Sequence, residues 1–327
     1  MIMNQVLINH NIGGRKNKIT TVDILKGDSH YGTLSNYNDL KKQYISLGKS
    51  DDRNYIFLID YEGKNRIRCD KMISWGLRES LMLEDRIILT QTQVTENVFA
   101  FDYNGNLIFE FSNDVGAIFI NNGCTSIGYS KTRKSLFFIL DSGATKKSYI
   151  YEISLDGVLK LKKELPEKYR IDTFIFDGSN FYAASRDTLI QLDVNGQIVK
   201  EKKFPGHISI YHYGQNSIYC SMNEKYMVID KNTFEIITET EQLNYYVYYN
   251  NYVYNDKLIV SYKDYNDFYI LQPNNILHSK IDKKDMVGYV NLLLSLSNSN
   301  SFKIYGKTAM INRNNDSGIA YVKGGMK

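Results

Sequence analysis

Side-chain catalysis needs a nucleophile, a proton carrier or a metal-ligand set within reach of one another, and histidine carries protons best near neutral pH. The chain has five: His10, His30, His207, His212 and His278. Only His207 and His212 lie close in sequence. On a straight strand a separation of five puts two side chains on opposite faces, so this pair does not chelate a metal. His207 follows Pro205 and Gly206, in a loop that enters a strand-like run. SLGK (46–49) matches SxxK, but it lies in a strand-like run and lacks the partner motifs of that nucleophile. NRNNDSG (312–318) carries oxygen-bearing side chains like the opening of a calcium loop, without the Glu that completes one. The same residues suit a turn, where they bond to nearby backbone. There is no GxGxxG, HExxH or GxSxG, and GGRKNK (13–18) lacks the spacing of a phosphate loop. Acidic pairs for glycosidase chemistry are not identifiable from spacing. The sequence therefore assigns no catalytic set, no metal and no cofactor.

The aromatic content points toward binding or packing. Tyr occurs 27 times, Phe 15 times and Trp once, at Trp75. In YYVYYNNYVY (245–254) six of ten residues are tyrosine, so both faces of a strand must carry some. Tyrosine offers a large apolar face with a hydroxyl, which suits contact surfaces and ring stacking. It also serves simply as a core residue in place of Phe and Trp.

Charge and cysteine usage narrow the classes. The net charge of +4, from 40 basic and 36 acidic residues, is too small to argue for nucleic acid. Basic residues cluster at KLKKELPEKYR (160–170) and KEKK (200–203), where lysines are expected to guard exposed strand edges. Cys69, Cys124 and Cys220 are odd in number and far apart, which argues against a disulfide framework and for a reducing compartment. The N-terminal residues lack the pattern of a signal peptide, and the longest apolar runs have strand length. The expectation is a cytoplasmic protein with no membrane contact.

The elements that must position any site come from a repeat. An apolar residue, then Asp, Ser, Gln or Asn, then turn-forming residues recur as IDYEG, FDYNG, ISLDG, LDVNG, IDKNT, LQPNN and INRNN. Their second positions are 60, 102, 154, 193, 230, 272 and 312, a mean spacing of 42 residues with one long gap of 52. Each copy separates two strand-like runs and reads as a hairpin turn. The fourth unit is complete: IDTFIF, FYAAS, TLIQLD and QIVKEKKF give four antiparallel strands in about forty residues. The fifth reads ISIYHY, SIYCSM, KYMVID, FEIITETE; the sixth YYVYY, KLIVSYK, DFYILQ, ILHSKI; the seventh YVNLLLSLS, FKIYG, TAMIN, GIAYVK. The second unit is GLRESLML, RIILTQT, NVFAFD, LIFEF, and the third SIGYS, SLFFIL, SYIYEIS, VLKLKKE. The first is less regular, with YGTLS, QYISLG, YIFLID and NRIRC. Fourth strands alternate charged and apolar residues and are expected at the rim; first strands are expected at a central axis. Residues 5–25 hold two further runs, QVLINH and KITTVDIL, that would join the last unit and close a ring. LINHN (7–11) faintly repeats the turn motif and leaves eight units open.

This period and four-strand unit resemble the β-propeller superfamily over almost the whole chain. The units lack the GH and WD dipeptides of WD40 repeats and the double glycine of kelch repeats. FLIDYEG, FAFDYNG and IQLDVNG look like the loose repeats of YncE-like and quinoprotein-like propellers. The resemblance implies one all-β domain over residues 1–327, a seven-bladed propeller closed by pairing of the termini. It implies no activity, because propellers include both scaffolds and enzymes. The leading reading is a non-enzymatic scaffold that binds a partner protein through loops on a rigid frame. Trp75, Arg78, Tyr169, Arg170, His207, Tyr245, Tyr246 and Tyr289 fall in or near the loops between one unit's fourth strand and the next unit's first. The rival is an enzyme or a small-ligand or carbohydrate binder at the mouth of the axial channel, with Arg78, Asp172, His207 and Asp285 as its polar groups.

Overall fold

In a computed structural model, residues 18–22, 31–38, 41, 43–50, 53–60, 66–72, 77–91, 97–112, 117–119, 127–142, 145–243, 251–254, 257–262, 267–280, 301–305, 308–312 and 317–323 are described. Among them every regular element is a strand. The strands form seven antiparallel sheets. The first sheet is β2 (Tyr31–Asn38), β3 (Gln43–Ser50), β4 (Arg53–Asp60) and β5 (Arg66–Met72), in that order. The second is β6 (Leu77–Met82), β7 (Arg86–Gln91), β8 (Asn97–Asp102) and β9 (Leu107–Ser112). The third holds β10 (Ala117–Phe119), β11 (Gly128–Ser130), β12 (Ser135–Ser142), β13 (Lys147–Ser154) and β14 (Leu159–Glu164). The fourth is β15 (Thr173–Phe176), β16 (Asn180–Ser185), β17 (Thr188–Asp193) and β18 (Ile198–Lys203). The fifth is β19 (Ile208–Tyr213), β20 (Ser217–Met222), β21 (Lys225–Asp230) and β22 (Ile236–Glu239). The sixth is β23 (Asn251–Tyr254), β24 (Lys257–Tyr262), β25 (Asp267–Gln272) and β26 (Asn275–Lys280). The last sheet pairs β27 (Ser301–Tyr305), β28 (Thr308–Asn312) and β29 (Ser317–Lys323) with β1 (Lys18–Val22).

Successive sheets approach one another through their first strands, as β2 does to β6, β15 to β19 and β23 to β27. First strands are thus inner and fourth strands outer. Burial agrees: β15 is buried along its length, while β18 alternates exposed and half-buried residues. The core lies between sheets. Phe109 of β9, Phe137 and Tyr151 of the third sheet and Phe174 and Phe181 of the fourth share one apolar cluster. A second cluster joins the fourth and fifth sheets through Tyr182, Phe204, Ile210 and Phe234. A sheet covered on both faces needs apolar residues at consecutive positions, which is why SLFFILDS of β12 is buried throughout. Each large apolar side chain there contributes about 1.5–3 kcal/mol by leaving water. Of the tyrosines, Tyr151, Tyr219 and Tyr226 are among the largest fully buried side chains. Their role is packing.

Several boundaries differ from the sequence expectations. The inner strand of the third sheet comes in two pieces, β10 and β11, which pair with opposite ends of β12. The segment between them accounts for the 52-residue gap in the repeat. In the sixth sheet the first strand is NYVY; YYVYY (245–249) lies outside the described residues. Among the described residues of the last sheet β27, which contains FKIY, stands at one edge, and KITTV pairs along β29 at the other side. QVLINH and YVNLLLSLS lie outside the described residues. The outer strands β9, β14, β18 and β22 begin with a bulge, so Val158 and Leu159 are both exposed where strict alternation would bury one.

Candidate functional site

In a four-stranded meander the first-to-second and third-to-fourth turns share one face. The second-to-third turns share the other with the handover loops that lead to the next sheet. The recurring motif occupies the first of these faces. Asp102 Oδ1 accepts the N–H groups of Asn104 and Asn106 at 2.8 and 2.9 Å. Asp193 Oδ1 does the same for Asn195 and Gln197, and Ser154 Oγ for Asp156 and Val158. The oxygen demanded at the second motif position is thus a clip for the turn. Gly105, Gly157 and Gly196 then take positive φ and create the bulge that starts the outer strand. In IDKNT no glycine is available, and Phe234 takes φ 62° with its ring buried. Backbone bonds from Thr233 and Asn232 hold Asp230 below the usual carboxylate range, against the desolvation of its site. Desolvation also raises Asp102, but bonds from Asn106, Asn104 and Gly105 together outweigh it and leave that carboxyl lowered.

These turns lock neighbouring sheets together. A Cβ on Gly157 would sit 2.6 Å from the ring of Phe109 on the preceding sheet's outer strand. Gly105 O accepts the N–H of Asp70, on the outer strand of the first sheet, at 2.9 Å. Arg86 donates to Leu155 O in the next sheet's turn, and its bonds to Asp85 hold that carboxyl below its usual range. Lys231 Nζ meets Asp177 at 2.7 Å and lies over the rings of Tyr182 and Tyr213. Burial pushes the Tyr182 hydroxyl up, and Asp177 adds to it.

The handover face is built differently. Between the third and fourth sheets lies a cleft of about 510 Å³ lined by Glu167, Lys168, Tyr169, Arg170, Ser185, Arg186, Asp187, Thr188, Glu201 and Lys203. The turn between β16 and β17 supplies its middle. There Arg186 takes φ 56°, its carbonyl accepts Ile208 N–H at 2.8 Å, and its N–H donates to Asp172 Oδ2 at 2.7 Å. The same Asp172 oxygen lies 3.3 Å from His207 Nε2. Asp187 is desolvated, but bonds from Lys203 and Thr188 outweigh this and keep its carboxyl below the usual range. Arg170 Nε donates to the buried Asp141 at 2.9 Å, and Lys168 reaches Glu201 at 3.5 Å. Lys168 also lies over the ring of Tyr169. Such an array can bind charged or hydrogen-bonding groups. Beyond the Arg186 N–H and His207, no other described group is bonded to the Asp172 carboxylate.

Of the sequence candidates, Tyr169, Arg170, His207 and Asp172 converge on this face. Tyr169 is buried in the core between the sheets and forms part of the cleft floor. Arg78 lies on β6, where its backbone alone is described. Trp75, Tyr245, Tyr246, Tyr289 and Asp285 lie outside the described residues. His207 and His212 stay apart, since His212 packs on Tyr219 within the bulged strand β19 while His207 precedes it. Arg313, Asn314, Asn315 and Asp316 of the calcium-like segment are outside the described residues. Among the described residues no cluster of three or more His, Cys, Asp or Glu could hold a metal, and no helix is long and apolar enough to cross a membrane. Sequence reasoning misses Arg186, Asp187 and Lys203 as site residues. The one available signal is RD between two strand-like runs, where a tight turn favours glycine or asparagine.

Neither a protein-family model nor a curated protein matches this chain. Solved structures do. BamB from Moraxella catarrhalis is similar with a TM-score of 0.55 at 12% identity, over 90% of this chain and 86% of that one. The WD40 domain of Neurospora crassa Pan2 is similar with a TM-score of 0.56 at 10% identity, over 96% and 98%. The computationally designed Ika8 protein gives 0.56 at 9% identity, over 89% and 83%. Likeness at such identities is likeness of fold, and with the repeated four-stranded sheets it makes this chain a β-propeller.

Proposed function

We propose that the chain is a seven-bladed propeller closed by β1 and that it acts as a non-enzymatic scaffold, binding a partner protein through its handover face. The observation that carries the binding reading is the cleft between the third and fourth sheets, where charged side chains gather over a rigid core. Binding groups concentrate on loops held by such a frame. Pairing of β1 with β29, and the approach of β2 to β28 and β29, support the closed ring. Deleting residues 1–22 should lower the melting temperature strongly, while deleting 1–12 should matter less; equal melting curves would refute closure. The partner reading is tested by crosslinking in cells followed by mass spectrometry. Lys203→Glu, in the cleft, should lose a partner that Lys131→Glu, an exposed residue on the opposite face, retains. Identical partners for both would refute it. A cytoplasmic setting belongs to this reading, and the buried free thiols of Cys69 and Cys220 support it.

A second reading is favoured by one contact. His207 and Asp172 lie 3.3 Å apart at the start of two inner strands, where a small ligand entering along the axis would meet them. A thermal-shift screen of sugars and small acids, repeated with His207→Gln, tests it. A stabilising compound whose effect vanishes in the variant would favour this reading over the scaffold.

A further inference from the structure

We infer that the cleft between the third and fourth sheets captures a carboxylate, and that the segment it takes from a partner is an acidic peptide. This rests on the partner-binding reading and gives that partner its chemistry. Four cations and three acids line the cleft, and Asp141, which holds Arg170 from outside the lining, brings the charges into balance. Lys168 is engaged by Glu201 at 3.5 Å, Arg170 by Asp141 at 2.9 Å and Lys203 by Asp187 at 3.2 Å. Arg186 differs. Among the described residues its guanidinium has no acidic partner, although its backbone is held at both ends by Asp172 and Ile208. Its φ of 56° is a conformation in which a side chain with a Cβ is uncommon. Strained residues held by well-ordered surroundings concentrate where a ligand is met. An anchored backbone carrying an unengaged guanidinium is a preorganised donor for a planar carboxylate, which it meets with two parallel N–H bonds.

A second observation comes from the cleft floor. Tyr169 is only 5% exposed, and its hydroxyl is buried without a hydrogen-bond partner. A buried polar group in that state is unfavourable, and it belongs to a residue that lines the cleft. The neighbouring acids Glu167, Asp187 and Glu201 select the kind of anion. They repel a doubly charged phosphate more than a single carboxylate, which matches the one lining guanidinium without an acidic partner among the described residues. The volume of about 510 Å³ is far larger than one carboxyl group, so the carboxylate arrives on a peptide that fills the remainder.

The test is fluorescence anisotropy with a fluorescein-labelled hexaglutamate peptide and a hexaglutamine control. Wild-type protein should bind hexaglutamate at least about tenfold more tightly. Arg186→Gly, which relieves the left-handed turn and so keeps the fold, should lose that preference, as should Arg186→Gln. Lys131→Gln should retain it. Equal binding of the two peptides overturns the inference, as does binding that survives both Arg186 variants. Displacement of the peptide by inorganic phosphate at lower concentration than by glutarate also overturns it. The two readings fail separately. If Lys203→Glu loses a cellular partner while hexaglutamate never binds, the carboxylate site is wrong and the scaffold stands. If hexaglutamate binding depends on Arg186 but cellular partners ignore Lys203→Glu, the site stands and the scaffold reading is wrong.

Discussion

The two faces of this molecule use left-handed backbone in different ways. On the face of the recurring motif, positive φ falls on Gly105, Gly157 and Gly196, and the preceding Asp or Ser clips the turn. Lys134 and Phe234 are that face's exceptions. On the handover face positive φ falls on Lys146, Arg186, Asn223 and Glu224, residues with a Cβ and mostly a charge. One face therefore follows local preference and joins sheets. The other carries strain, a cluster of charges and an unpartnered hydroxyl at Tyr169. The difference separates residues whose type suits the turn they form from residues held in a conformation their type disfavours.

The largest expected effect lies on the motif face. Lys231→Met should cost about 3–5 kcal/mol, because it strands Asp177 in a site where both partners are largely buried. Denaturant unfolding measures this, and a loss under about 1 kcal/mol would show that the clamp contributes little. Gly157→Ala should cost about 2–4 kcal/mol, from left-handed strain plus collision with Phe109. The same measurement applies, and a neutral result would erase the contrast between the faces.

Acid should act on the motif face next. Asp102 and Asp230 have folded pKa values below their unfolded ones near about 3.9. The unfolded chain therefore binds more protons in that window. Their contribution is complete above the unfolded pKa and is lost as pH falls through the folded value. The double variant Asp102→Asn with Asp230→Asn should show a shallower fall of melting temperature from pH 5 toward pH 2 than the wild type. Parallel curves would contradict the clip. The smallest effect is expected on the other face. Arg186→Gly should leave stability unchanged or raise it by up to about 1 kcal/mol, since it removes strain. A clear loss would mean that the guanidinium serves the fold rather than a ligand.

Cys69 refines the core between the first two sheets. Burial, with Asp70 and Asp102 nearby, pushes its thiol up to about 12. It should therefore resist thiol reagents in native protein at pH 8 and react once unfolded. Labelling of the native form would show that this part of the core opens.

The sequence alone determined the strand class and the turns, because each depends on residues within five positions of one another, and it determined the repeat because those turns recur at a mean spacing of 42 residues. Asp102 to Asn106 contains both the clip and its recipients. The consecutive apolar residues of β12 likewise announce a sheet covered on both faces. Local context marks Lys168 and Lys203 as edge guards, yet the fold turns both toward one cleft. Only tertiary structure could decide that, since Arg170, Arg186 and Lys203 meet through antiparallel pairing and the docking of separate sheets. β1 differs, because the sequence analysis already expects KITTVDIL to join the last unit, and its KITTV part pairs with β29. Local spacing encodes a turn, whereas a site assembled from different sheets depends on how their buried faces pack, and no spacing in the chain records that.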